Sequence, residues 1–255
     1  MTFARIPALF AALLFCGCAI EPACDTSVRM NISGTIVTGP MIHMPTMKER
    51  GVKSVAFVLK EENQVGYEHL GFTAFSNNRY QISLAQIMQG NPNRTALLER
   101  LRNLEGFRYV DVSSFEGEIL ASLHTSNWDG EWSFVKGSEG VRKRLAELGI
   151  DALLVVDENP ARGNYVAWNL EHSFDYGQTY ALSGMFAAIV IDVKTGREFS
   201  HCNYVQASQE LVNLTGNIGQ AEFQEGDRKV LEEAILRRAQ NNAVESLRML
   251  KFMAR

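Results

Sequence analysis

The segment Lys53–Lys60 reads KSVAFVLK and constrains the fold more than any other stretch. Its centre, Val55 to Leu59, is unbroken apolar sequence. The run lacks the polar alternation of a strand with one wet face. It fits an interior strand covered on both faces. Asp151–Asp157, DALLVVD, repeats the pattern, and Gln178–Val193 extends it over a longer span with a bulge or bend expected at Gly184. Strands of this kind need packing layers on both sides, so the chain is expected to build a layered domain of strands and helices.

The remaining pattern supplies those layers. Val28–Val37 alternates loosely, as an edge strand does, and the breaker Gly39-Pro40 follows. Gly66–Phe75 and Arg79–Leu84 flank Ser76-Asn77-Asn78, a hairpin turn. Asn91-Pro92 starts a helix, with Asn as cap and Pro at the first helical position. Leu97, Leu98, Leu101 and Leu104 repeat at helical spacing, and Gly106 stops the helix. Phe107–Val112 and Glu118–His124 read as strands. Ser138–Leu148 reads as a helix with Val141, Leu145 and Leu148 on one face. Tyr165–His172 is a further strand. Lys194-Thr195-Gly196 turns into a strand over Arg197–Ala207. Residues 208–226 show no period and read as a surface excursion. Asp227–Phe252 is a long helix with the stripe Leu236, Ala239, Ala243, Leu247 and Leu250. No linker divides the chain. The expectation is one α/β (α+β) domain over residues 28–255, a mixed, partly antiparallel sheet with helices packed on it.

The N-terminus carries an address. Arg5 precedes an apolar stretch from Ala8 to Phe15, which has the length of a signal peptide core and is too short to span a bilayer. It ends in Phe15-Cys16-Gly17-Cys18, which resembles the lipobox of bacterial lipoproteins. That resemblance implies cleavage after Gly17, diacylglyceryl transfer to Cys18 and a lipid-anchored tether over residues 18–27. With Ala19 rather than Asp after the cysteine, it also implies sorting to the periplasmic face of the outer membrane. An ordinary secretory signal cut near Cys18 is the alternative. Removing residues 1–17 takes away one charge, Arg5, from a net of −4, leaving 238 residues at −5. That balance speaks against nucleic acid as a partner. Of the remaining cysteines, Cys24 and Cys202 either pair in an oxidising compartment or leave Cys202 as a buried strand residue.

A second resemblance spans the stretch from the helix at Val141–Leu148 to the closing helix. Gly149-Ile150-Asp151-Ala152-Leu153-Leu154 and Ile191-Asp192-Val193-Lys194-Thr195-Gly196 carry it, with Ser54–Leu59 as the first core strand. It is similar to the periplasmic α/β lipoprotein group of the curli-secretion lipoprotein, the outer-membrane activators of penicillin-binding proteins and the N-terminal domain of the Tol β-propeller protein. The resemblance implies a domain without a catalytic site that binds other envelope proteins or assembles with itself.

No Gly-x-Ser-x-Gly elbow, His-Glu-x-x-His, P-loop or dinucleotide-binding glycine fingerprint occurs, and no cofactor is expected. Four groups of residues carry possible chemistry. Met41, His43, Met44 and Met47 offer thioethers and an imidazole that suit copper(I), or fill gaps at a sheet edge. Glu171, His172, Asp175 and His201 lie near strand ends and either converge on a metal or acid–base cluster or sit on a solvated face. The Trp128–Phe134 loop sets Trp128, Asp129 and Trp132 beside Gly130, a candidate partner-binding site. Within it Trp128 is expected as the anchor and Trp132 as the core plug. Tyr165, Trp168, Phe174, Tyr176 and Tyr180 form an aromatic group explained by cross-strand packing. The leading reading is a non-enzymatic envelope lipoprotein with a protein partner or a second copy of itself. A ligand- or metal-binding lipoprotein is the alternative.

Overall fold

The computed structural model describes residues 31–32, 35–36, 45–70, 78–125, 132–159, 167–173, 179–206, 210–215 and 224–253. The strands are β1 (Asn31–Ile32), β2 (Thr35–Ile36), β3 (Ser54–Lys60), β4 (Gln64–Leu70), β5 (Asn78–Ser83), β6 (Arg108–Tyr109), β7 (Leu123–Thr125), β8 (Trp132–Phe134), β9 (Ala152–Asp157), β10 (Trp168–Ser173), β11 (Thr179–Asp192), β12 (Glu198–Gln206) and β13 (Glu210–Asn213). The helices are α1 (Pro92–Arg102), α2 (Glu116–Ala121), α3 (Glu139–Glu147) and α4 (Glu225–Met249).

One nine-stranded mixed sheet organises the domain, and β11 runs through both halves of it. Thr179 to Gly184 pairs with β13 and β10, and Met185 to Asp192 pairs with β12 and β9. The neighbouring strands follow suit. β3 lies parallel to β9 and β6, and β4 lies parallel to β10 and antiparallel to β5. An upper half, β6-β3-β9-β11-β12, thus continues into a lower half, β5-β4-β10-β11-β13.

The halves differ in what covers them. Val55, Phe57, Leu59, Leu154, Val156, Ala188 and Val190 point into one cluster beneath α1 and α4, which also takes Val65, Tyr67, Trp168, Leu170 and Leu182 from the lower half. Alternate residues of the upper half, Ala56, Val58, Leu153, Val155, Ile189 and Ile191, fill a second cluster with Phe115, Ile119, Trp132 and Leu145. The upper half is therefore dry on both faces, which is why β3 and β9 read as unbroken apolar runs. The lower half is covered on one face, and β4 and β10 alternate buried with half-buried residues.

Several expectations need correction. Glu118–His124 is not one strand. Phe115 and Ile119, four residues apart, both pack into the second cluster, and Glu116 and Glu118 favour the first turn of a helix, so α2 forms and β7 follows it. The strand expected over Phe107–Val112 is reduced to β6. Leu148 is 42% exposed, because it is the C-cap of α3 and leaves the buried face as the chain turns at Gly149, φ +68°. Leu236 is 39% exposed. The buried stripe of α4 runs through Leu231, Ile235, Ala239, Ala243 and Leu247, with Asn242 and Ser246 beside it. Residues 208–226 include β13, whose Val212 is buried. The Ser76-Asn77 turn lies outside the described residues.

Gly184 sits in unbroken register opposite Trp168, and the β11 irregularities come later, between Phe186 and Ala188 and between Val190 and Ile191. Its role is space. A Cβ there would collide with Trp168 Cζ3, approach Cε3 to 2.8 Å and lie 3.1 Å from Asn242 Nδ2, which donates to the Gly184 carbonyl. Trp168 is fully buried and cannot yield. Gly184→Ala is expected to cost about 1–3 kcal/mol in urea unfolding, the usual penalty of overpacking. An unchanged midpoint would show that the indole has room to move.

Candidate functional site

The lower half of the sheet brings together a cluster of histidine and tyrosine side chains. Parallel pairing of β4 with β10 sets His69 opposite His172, and antiparallel pairing of β4 with β5 sets Tyr67 opposite Tyr80. The imidazoles stack at 5.0 Å with their Nδ1 atoms 2.8 Å apart, one ring donating and the other accepting. His172 stacks on Tyr180 at 4.5 Å, and Tyr67 stacks on Tyr80 at 5.9 Å. Burial first, and then Tyr180, to whose oxygen the Tyr67 hydroxyl donates, push the Tyr67 hydroxyl up to about 12. Both tyrosines stay neutral at physiological pH.

Among the described residues, nothing packs over the opposite face of the same strands. A shallow recess of about 730 Å³ lies over Gly66, Glu68, Arg79, Gln81, Asn169 and Ser183. Across the strand pair Arg79 donates twice to Glu68 Oε1, at 2.9 and 2.7 Å. Beyond them β5 ends the sheet. Among the described residues no strand pairs with its outer edge. Its register with β4 runs without a bulge from Gln64↔Ser83 to His69↔Asn78. The sequence NRYQIS contains neither Pro nor Lys, two common blunting devices of free edges. Such an edge presents backbone donors and acceptors to a further strand.

The residues singled out from sequence scatter. Cys18, Met41, His43, Met44, Trp128, Asp129 and Asp175 lie outside the described residues. Met47 is 1% exposed and packs in the first cluster, where its thioether is a core side chain. Trp132 is 7% exposed and packs in the second cluster, so its ring is not offered to a partner. His172 and His201 are not brought together. Glu171 faces Ala181 and His201 faces Ile189 along β11, about 25 Å apart at ~3.3 Å per residue. His201 Nδ1 instead lies 3.5 Å from Glu198 Oε1. Among the described residues no group of three or more His, Cys, Asp or Glu side chains is placed to hold a metal. Cys202 is fully buried and disulfide-bonded, and the other cysteines, Cys16, Cys18 and Cys24, all precede the described residues.

No sequence motif singles out His69 or Tyr67, because their importance arises from the β4–β10 pairing. Glu158, 1% exposed at the end of β9, carries no signal either. It accepts from Asn93 Nδ2 at 2.7 Å, Asn91 Nδ2 at 2.8 Å and the Glu62 backbone N–H at 2.8 Å, joining β9, the β3–β4 link and the start of α1. Burial raises its pKa, and the three donors offset part of that cost. A raised folded-state pKa means that its share of stability is fullest below the ordinary glutamate range and is lost as pH rises through the folded value.

No family model and no curated protein matches the sequence. Among solved structures, a PelC dodecamer from Paraburkholderia phytofirmans matches at 9% identity and a TM-score of 0.33, over 79% of this chain and 90% of that one. Lipoprotein GNA1162 from Neisseria meningitidis matches at 10% identity and 0.30, over 74% and 99%. The LpoB C-terminal domain from Salmonella enterica matches at 14% identity and 0.24, over 62% and 84%. Likeness at these scores carries no function across.

Glu158→Ala would leave two amides and one backbone N–H without their acceptor. At about 1–3 kcal/mol per unsatisfied group, the expected loss is about 3 kcal/mol or more at pH 7. A loss below about 0.5 kcal/mol would show that water replaces the carboxylate.

Proposed function

We propose that the chain is a non-enzymatic outer-membrane lipoprotein whose periplasmic domain binds another envelope protein or a second copy of itself through the lower half of its sheet. Residues 1–17 are the signal peptide, Cys18 carries the lipid, and residues 18–27 tether the domain. The observation that carries the binding role is the edge of β5, which pairs with no further strand among the described residues, beside a face that no described helix covers. Added strands gain backbone hydrogen bonds there, and the Glu68–Arg79 pair and Tyr80 provide side-chain selectivity. Tyr80 is 45% exposed, an aromatic contact already held in place by Tyr67. No helix among the described residues is long and apolar enough to cross a membrane. On this reading the acyl chains on Cys18 provide the attachment, at about 0.8 kcal/mol per buried methylene. With Cys16 removed on cleavage and Cys18 acylated, Cys24 is the thiol left for Cys202.

Two variants test this reading separately. Cys18→Ser is expected to leave the membrane fraction or remain uncleaved; wild-type fractionation and migration would rule out the anchor. Gln81→Lys places a charge on the β5 edge, where it opposes strand addition. It is expected to weaken in-cell crosslinking or self-association at least about tenfold, 1.4 kcal/mol, with the melting transition unchanged. Undiminished crosslinking would place the interface elsewhere.

A further inference from the structure

At the far end of the upper half, a second recess of about 740 Å³ opens between the start of α3, the start of β9 and the β11–β12 turn. Its floor is apolar, with Val52, Ile150 and Val193 all 3% exposed or less. Four cations line it: Arg50, Arg142, Lys143 and Lys194.

Three acids line it as well, Glu139, Asp151 and Asp192, so four cations against three carboxylates leave one net positive charge, and each carboxylate is turned toward backbone donors of its own segment or of a neighbouring strand. Asp151 Oδ2 accepts from the Lys53 and Ser54 backbone N–H groups, at 2.9 and 3.0 Å, and from Ser54 Oγ at 2.9 Å, holding the starts of β3 and β9 together. Asp192 accepts from the Lys194 N–H at 2.9 Å and Thr195 Oγ1 at 2.7 Å, inside its own turn. Glu139 is at the start of α3 and accepts from the Gly137 N–H at 3.3 Å. The cations are differently placed. Arg142 gives one N–H to the Thr195 carbonyl at 3.2 Å, which leaves most of its five donors uncommitted by that bond. Arg50 lies over the Phe199 ring at 5.1 Å, which fixes its guanidinium at the rim. Lys143 has a loose 3.7 Å ion pair with Glu147. An apolar floor ringed by arginine and lysine suits a phosphate that carries an acyl or glycerol body.

The disulfide limits how far this recess can lie from the membrane. Cys202 is bonded, and every other cysteine lies within the first 24 residues. On the lipoprotein reading, on which this step rests, the partner is Cys24, six residues from the acylated Cys18. Six residues reach at most about 20 Å, and Cys202 to Phe199 on β12 adds about 10 Å. The recess is thereby kept within about 35 Å of the bilayer surface, which a free tether running on to Pro45 would not ensure. We propose that it binds the phosphate of an anionic phospholipid headgroup and so fixes the orientation of the domain on its membrane. The mature chain carries −5, so general attraction to an anionic surface does not mimic this contact.

The test is lysine acetylation footprinting of the full protein on vesicles of phosphatidylcholine alone or with phosphatidylglycerol, and in detergent with inorganic phosphate. Phosphatidylglycerol is expected to slow acetylation of Lys143 and Lys194 at least about fivefold relative to phosphatidylcholine, the scale of one basic residue at an anionic surface. Lys229, exposed near the start of α4, should be unaffected. Arg50→Gln with Arg142→Gln should abolish the protection. Equal rates on both vesicles overturn the inference, as does protection by inorganic phosphate that matches phosphatidylglycerol. The mass of the N-terminal peptide, read from the same sample, reports acylation of Cys18. An unacylated protein that still shows the phosphatidylglycerol effect removes the anchor and keeps the recess, whereas an acylated protein without it does the reverse.

Discussion

The fold depends on burying the upper half of β11, and the strands beside it, on both faces at once. Ala187, Ile189 and Ile191 enter one cluster, and Phe186, Ala188 and Val190 enter the other. Two-sided burial removes water from every backbone group there, so each N–H and C=O must find a ladder partner. β9 and β12 supply these partners along most of the segment. The same requirement explains why Asp151 spends its carboxylate on the Lys53 and Ser54 backbone amides, fixing the start of the parallel β3–β9 pair.

Because β11 continues past the doubly covered region, the sheet must continue with it. The lower strands inherit one dry face from α4, and among the described residues nothing covers the other. The physical division is therefore between a half that specifies the fold and a half free to carry polar chemistry. Glu68, Arg79, Asn169 and Ser183 occupy the open side, while the His69–His172 and Tyr67–Tyr180 contacts lie toward the covered side at its margin. Glu158 ties the two halves together at the β3–β4 link.

The sequence was informative where burial is complete. β3 and β9 were legible from their apolar runs, and α1 from Asn91 and Pro92, the observed cap and first residue. It misled where two adjacent apolar residues compete for one face. Ile235 and Leu236 both fit a helical stripe, and the polar Arg238, Asn242 and Ser246 on the buried face disguised which was chosen. It was silent where chemistry depends on register between distant strands. Nothing local to His69 announces His172, and nothing in the run that ends at Asp157 announces that the next residue anchors two asparagines. Gly184 was visible as an exception inside a strand, yet its cause, the ring of Trp168, lies on another strand.

Native-state hydrogen exchange tests the two-half account most directly. Amides of β3, β9 and the Ala187–Asp192 segment should exchange only through global unfolding, with the full urea dependence of that transition. Amides of β4 and β10 should exchange through a lower-energy opening with a smaller urea dependence, because one face of their half is already wet. If β4 and β10 exchange as slowly as β9 and with the same urea dependence, the sheet is one cooperative unit and the division into halves is wrong.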